Sequence, residues 1–402
     1  MHHEPITVPT ASVTLPEGNS WGRLSRISAV VGVVALLATF ALYFKDGHTF
    51  FPSYLVAFLF WLSIALGGLI FVLIQYATRA GWSVAVRRLA EHVMGTLPVF
   101  GLLFLPLLLG IHDLYHWSHH EAVEADRLLE HKSAFLNSFG FSTRSVVYLV
   151  IWSLLAWWFR RQSIAQDQSK DPQVTRRLQA RSAPAILVFA LTVTFASFDW
   201  IMSLDPHWYS TVFGVYLFAG CFLAIHAVLA LLCLRLQNQK LLAGVVSFEH
   251  YHDLGKMLFA MVVFWAYIGF SQYMLIWYAN IPEETAFFQE RLTHGWKGIT
   301  VALVLGHFVL PFLFLLLRGV KRRRATLRFA ALWLLAVHWL DLYWLVMPPL
   351  NHDGPHFSFA DVTAFVGIGG LFLAVLATLM QKSALVPIGD PRLTESLSFE
   401  NV

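Results

Sequence analysis

The chain has 402 residues, of which 57% are hydrophobic, 15% aromatic and only 13% charged. Soluble domains carry about 25% charged residues, so this composition, with a mean hydropathy of +0.61, excludes a soluble globular enzyme, a disordered chain and a nucleic-acid binder. The net charge is only +4, so where the charges lie matters more than their sum.

A hydrocarbon core about 30 Å thick takes roughly 20 mostly apolar residues per helix. Ten such runs follow in chain order: Ile27–Phe44, Pro52–Tyr76, Glu91–Ile111, Phe141–Phe159, Ala185–Met202, Tyr209–Leu234, Met257–Tyr278, Trp296–Leu317, Phe329–Met347 and Val362–Met380. None alternates with period two, so helices rather than a β-barrel are expected. The expected fold class is an all-α integral membrane protein of about ten transmembrane helices. With the N-terminus inside, 22 Lys and Arg fall on the cytoplasmic side, including six each in the Arg160–Arg181 and Arg318–Arg328 loops. The other side holds 6: Lys45, Arg127, Lys132, Arg144, Arg291 and Lys297. That asymmetry fits ten spans with both termini in the cytoplasm. Residues 1–26 and 381–402 then read as cytoplasmic tails around a 27–380 membrane domain. Met1–Trp21 is polar and no cleavage site follows the first apolar run, which argues against a cleavable signal peptide. The basic run Arg318–Arg328 reads as a membrane-flanking anchor. Shifting by four spans preserves orientation, so two parallel four-helix units, about 52–202 and 209–347, are topologically allowed, with the first and last helices flanking them.

The external side carries three long, non-basic loops, His112–Gly140, Ala279–Gly295 and Pro348–Asp361, which suggest a docking surface. His112, His116, His119 and His120 lie close in sequence but have no accompanying cysteine, and they read as a surface element rather than a metal site. Cys221 and Cys233 exclude a disulfide framework and an iron–sulfur cluster ligated by this chain alone, which needs about four thiolates.

Ionisable groups at bilayer depth are costly and mark function or pairing. Inside the spans these are His92, His226, His307, His338, Asp199 and Asp341, with Glu91 at an inner edge. His338 and Asp341 are three apart and share a helix face. Asp199 and Gln272 belong to the outer third, with Asp205 and His207 just beyond it. Titratable groups at every depth are candidates for a proton path, and each is equally a candidate for a packing contact between helices. His307 and His338 share a depth and so admit a haem, but a di-haem cytochrome needs a second matched pair, which is absent from the sequence.

Three segments carry a resemblance: LYHWSHHEAVEADRLLEHKSAFLN (Leu114–Asn137), with Arg144 one turn into the next helix; SFDWIMSLDPHWYSTVFGVYLFAG (Ser197–Gly220); and FWAYIGFSQYMLIWYANIPEET (Phe264–Thr285). Together they resemble the NrfD-like (polysulfide reductase membrane subunit) family, and within it the paired ten-span subunits of the quinol-oxidising alternative complex III. The ending PIGDPRLTESLSFEN (Pro387–Asn401) is more similar to the ActF branch than to the paralogous ActC branch. The resemblance implies two four-helix bundles plus two extra helices in a bacterial inner membrane. It implies as partners the ActC paralog, a periplasmic iron–sulfur subunit, haem c subunits, small membrane subunits and a terminal oxidase. Electrons then run from menaquinol through iron–sulfur clusters to haem c in those partners, and this branch binds no redox cofactor and is proposed to carry protons. The matching motif positions are Asp126, Lys132, Asn137, Arg144, Asp199, Asp205, His207, Gln272 and Tyr273. Of these, Asp126, Lys132, Asn137 and Arg144 are expected to hold the external loop, and Asp199, Asp205, His207, Gln272 and Tyr273 are candidates for quinol contact. Two alternatives stay open: a subunit that binds menaquinol directly, and a secondary transporter or channel. Against the transporter, Pro98, Pro106 and Pro311 do not interrupt equivalent spans of the two units.

Overall fold

The computed structural model describes residues 10–16, 18–44 and 47–400. The first nine residues, Lys45 of the charge count and Asn401 of the C-terminal motif lie outside the described residues. The protein is 80% helical, and among the described residues there is no strand. Among the described residues ten helices are long and apolar enough to cross a membrane: α1 (Ser20–Tyr43), α2 (Thr49–Ala77), α3 (Val84–Leu109), α4 (Ser138–Ser169), α5 (Pro172–Leu204), α6 (Phe213–Asn238), α7 (Phe248–Ala279), α8 (Trp296–Leu316), α9 (Arg324–Val346) and α10 (Phe359–Gln381). The chain is a multi-pass membrane protein.

Several helices outrun their apolar stretches. α4 continues past Phe159 through Arg160, Arg161 and Gln166, and α5 starts at Pro172, thirteen residues before the expected Ala185. The reason is local: Asp171 caps α5, its side chain accepting from the Gln173 amide, and Pro172 occupies the first turn, where no amide is needed. Hydropathy marks only the part of a helix that needs lipid, so it misses such polar ends. α3 and α8 are interrupted. Pro98 and Pro106 each open a new helical segment in α3, and in α8 a π-helical stretch, Val304–Val309, precedes Pro311.

Two helices form the centre. The most apolar windows of α2 and α6 are 89% and 83% buried, against 17% for α1. α2 packs on α3, α5, α6, α9 and α10, and α6 packs on α5, α7 and α9. The α2–α6 crossing depends on Gly67, where a Cβ would stand 2.2 Å from the Cys221 carbonyl oxygen. At the edge, α1 pairs with α10 through Gly32 and Gly370, whose Cβ would meet the Gly32 Cα at 2.6 Å. Small residues at such crossings let backbones approach, which is how helices gain contact area where lipid already satisfies apolar surface. Outward faces carry Leu37, Leu154, Leu187, Leu191 and Leu313, all exposed, as a lipid-facing surface requires.

Candidate functional site

The polar residues inside the spans sort into three networks at three levels. The middle one lies where α2, α6, α7, α8 and α9 converge. Asp341 on α9 is buried, and each of its oxygens accepts one hydrogen bond: Oδ1 from the Tyr216 hydroxyl at 2.5 Å and Oδ2 from Trp265 Nε1 at 3.0 Å. One turn back along α9, His338 Nε2 bonds Ser63 Oγ at 2.9 Å. Ser63 also lies 2.7 Å from the Phe60 carbonyl. A serine has one proton to donate; with it directed at Phe60, Ser63 accepts from His338, which fixes the Nε2–H tautomer. His338 Nδ1 is then a lone pair, buried and without a partner, facing α6 at Gly220, where a Cβ would come within 2.6 Å of the ring. His307 lies against Trp265 with centroids 3.8 Å apart and the rings tilted by 39°, and both its ring nitrogens are unbonded. His307 and His338 thus point to different partners, one to α7 and one to α2.

Toward the arginine-rich face, His226 Nδ1 donates to the Phe222 carbonyl at 2.6 Å, and Nε2 has no partner. His92 is fully buried with both nitrogens unbonded. Beside it lies a charged cluster, built on Arg87, Arg88 and Glu91, that hydropathy does not mark. Arg88 pairs with Glu91 at 2.8 Å and with Asp167 at 2.7 Å. Arg87 pairs with Glu91 at 3.5 Å and with Asp390, and lies over the Tyr76 ring. Ser163 donates to Glu91 at 2.9 Å. The two arginines are at most 2% exposed and Glu91 is fully buried. The signal that marks them is spacing: arginines three and four residues before Glu91 bring all three together on one side of the helix. The C-terminal segment completes the cluster. Gly389 N donates to Asp167 at 3.3 Å, and Ser396 Oγ donates to the Trp82 carbonyl at 2.6 Å. Residues 385–397 are therefore a strap packed across this face.

At the opposite face Asp199 takes a forked pair from Arg144, Nε to Oδ2 at 3.0 Å and a terminal nitrogen to Oδ1 at 2.7 Å, and a third bond from the Tyr148 hydroxyl at 2.8 Å. Arg144 also donates to the Phe135 carbonyl. Asp126 caps the short helix Arg127–Lys132 and bonds His207 Nε2 at 2.6 Å; that bond holds the Asp126 carboxyl below its ordinary range. Lys132 donates to the Pro206 carbonyl at 2.6 Å, Asp205 accepts from the His207 amide, and Asn137 caps α4 through the Gly140 amide. Burial lowers the Lys132 ammonium. These contacts join the His112–Gly140 loop to the α5–α6 connection. Gln272 accepts from Ser210 at 3.0 Å. Tyr273 lies apart, its half-exposed ring edge-on to Phe288. Arg291, wholly buried, donates to the carbonyls of Phe287, Trp344 and Leu345.

Of the four loop histidines, His112 and His119 come together, with ring centroids 5.5 Å apart. His119 bonds the His112 carbonyl and His120 pairs with Glu124 on the surface. Among the described residues no three His, Cys, Asp or Glu side chains come together to hold a metal ion. An apolar groove of about 660 Å³ runs between α2, α6, α9 and α10, lined by Phe60, Trp61, Trp339 and Phe365. No protein-family model and no curated protein matches the chain.

Proposed function

We propose that the chain is a membrane subunit of a quinol-oxidising electron-transfer complex of the alternative complex III type, on the ActF branch of the NrfD-like family. It holds a transmembrane proton path and has no redox centre of its own. In this reading α2–α5 and α6–α9 are two four-helix bundles flanked by α1 and α10, both termini are cytoplasmic, and the membrane is a bacterial inner membrane. The partners are an ActC paralog, an iron–sulfur subunit, haem c subunits, small membrane subunits and a terminal oxidase.

The observation that carries the proposal is the His338–Asp341 cluster, a carboxyl and imidazoles with free nitrogens buried where α6, α7, α8 and α9 meet. Its chemistry suits a relay. Trp265 can only donate, so a proton taken up by Asp341 resides on Oδ1, opposite Tyr216. The Tyr216 hydroxyl then switches from donor to acceptor and turns its own proton elsewhere. His338 Nδ1 and His226 Nε2 are lone pairs without a partner, each able to accept a proton. The Asp199–Arg144 pair and the Asp126–His207 contact brace the outer loops against a partner.

The apolar groove favours a second reading, direct binding of menaquinol, because its wall residue Phe60 lies 5.8 Å, ring to ring, from His338. Purification of the chain from its native membrane tests the proposal. Co-purification with iron–sulfur and haem c proteins is the expected result; isolation alone indicates a transporter.

A further inference from the structure

A second groove, of about 420 Å³, opens between α4 and α5 at the arginine-rich face. Its walls are Leu155, Trp158 and Phe159 of α4 and Pro184, Ala185 and Val188 of α5, and its mouth carries Arg177 and Arg181. The two arginines are four residues apart, so one helix face presents both. Both are exposed, and neither makes an ion pair among the described residues. What sets them apart from other unpaired surface arginines is their place together at the mouth of an apolar groove. Arg177 and Arg181 are left to an anion from outside the chain. Above them the walls are apolar, and Leu187 and Leu191, further along α5, are exposed.

We infer that this groove binds one anionic phospholipid, its phosphate on Arg177 and Arg181 and an acyl chain between Trp158 and Val188. The geometry asks for an amphiphile with its negative charge and its hydrocarbon adjoining. Guanidinium forks match phosphate oxygens, and basic pockets between helices at this level are suited to acidic headgroups. Trp158, beside the point where the apolar part of α4 gives way to Arg160 and Arg161, is placed where an aromatic ring meets the headgroup boundary. The volume lies within the range of ordinary ligand sites, about 300 to 1,000 Å³. A soluble phosphate satisfies the arginines but leaves the apolar walls uncovered.

The test uses the full chain purified from its native membrane into detergent and exchanged against phosphatidylglycerol or phosphatidylcholine, with bound lipid counted by native mass spectrometry. The expected result is one retained phosphatidylglycerol, weakened about 30-fold in the Arg177→Gln/Arg181→Gln double variant at roughly 1 kcal/mol per arginine. Val188→Trp, which fills the groove and keeps both charges, is expected to release the lipid as well. Inorganic phosphate at millimolar levels is expected not to displace it. Equal retention of phosphatidylcholine, full retention by the double variant, or displacement by free phosphate overturns the proposal. Elution volume and tryptophan fluorescence identify any variant that fails to fold, and the lipid comparison on the unmodified chain stands without the variants.

Discussion

Asp199 and Asp341 are two buried aspartates in different surroundings. Asp199 faces a guanidinium and a phenol, so its negative charge is matched within the network. Asp341 faces only neutral donors, Tyr216 and Trp265, so nothing in direct contact balances a charge there. Both residues stand out in the sequence as acids inside apolar runs. Their difference does not, because the deciding partners lie 51 to 125 positions away along the chain. The pair spacing of His338 and Asp341 was legible, since a helix puts residues three apart on one face. The surface pair Asp126–His207 makes a pH prediction. The folded Asp126 titrates below its unfolded value, so its contribution to loop stability is complete above the unfolded pKa of about 4 and fades as pH falls through the lower folded value. Hydrogen exchange in the 112–137 loop is expected to stay slow at neutral pH and to rise below about pH 4. Exchange that is already fast at pH 7 contradicts the contact.

At the scale of elements, apolar runs located all ten helices but not their ends, because polar turns such as Arg160–Ser169 continue the helix without needing lipid. Nor did they show that residues 385–397 form a strap. That segment is polar and reads as a tail, and only the fold brings Asp390 to Arg87. Removing one partner of a buried ion pair leaves an uncompensated charge and costs about 3 to 5 kcal/mol. Asp390→Ala is therefore expected to lower the thermal unfolding midpoint in detergent by several degrees, whereas an unchanged midpoint means the strap is not part of the folded core. The α2–α6 crossing offers a steric counterpart. Gly67→Val introduces a Cβ where 2.2 Å is available, and overpacking of this kind costs about 1 to 3 kcal/mol. A loss of stability by the same unfolding assay is expected, and a neutral result means the two helices separate more easily than their packing implies.

Along the sequence, ten alternating spans divide the Lys and Arg residues 22 to 6 between the two sides. A reporter fused after Met380 is expected in the cytoplasm and one in the Ala279–Gly295 loop outside; the reverse result overturns the orientation and with it the direction of any proton path. In the proposed function, protons move through the His338–Asp341 cluster while electrons move through partner subunits. Replacing Asp341 by Asn preserves shape and hydrogen bonding but removes the titrating carboxyl, so it separates the two flows. The decisive measurement is proton release per electron in vesicles reconstituted with the whole complex, taken alongside the quinol oxidation rate. A clear fall in protons per electron in Asp341→Asn is expected, with a much smaller effect on quinol oxidation. An unchanged ratio in Asp341→Asn, in His338→Gln and in the double variant contradicts the proposed function and reduces the cluster to a packing contact between α6, α7 and α9.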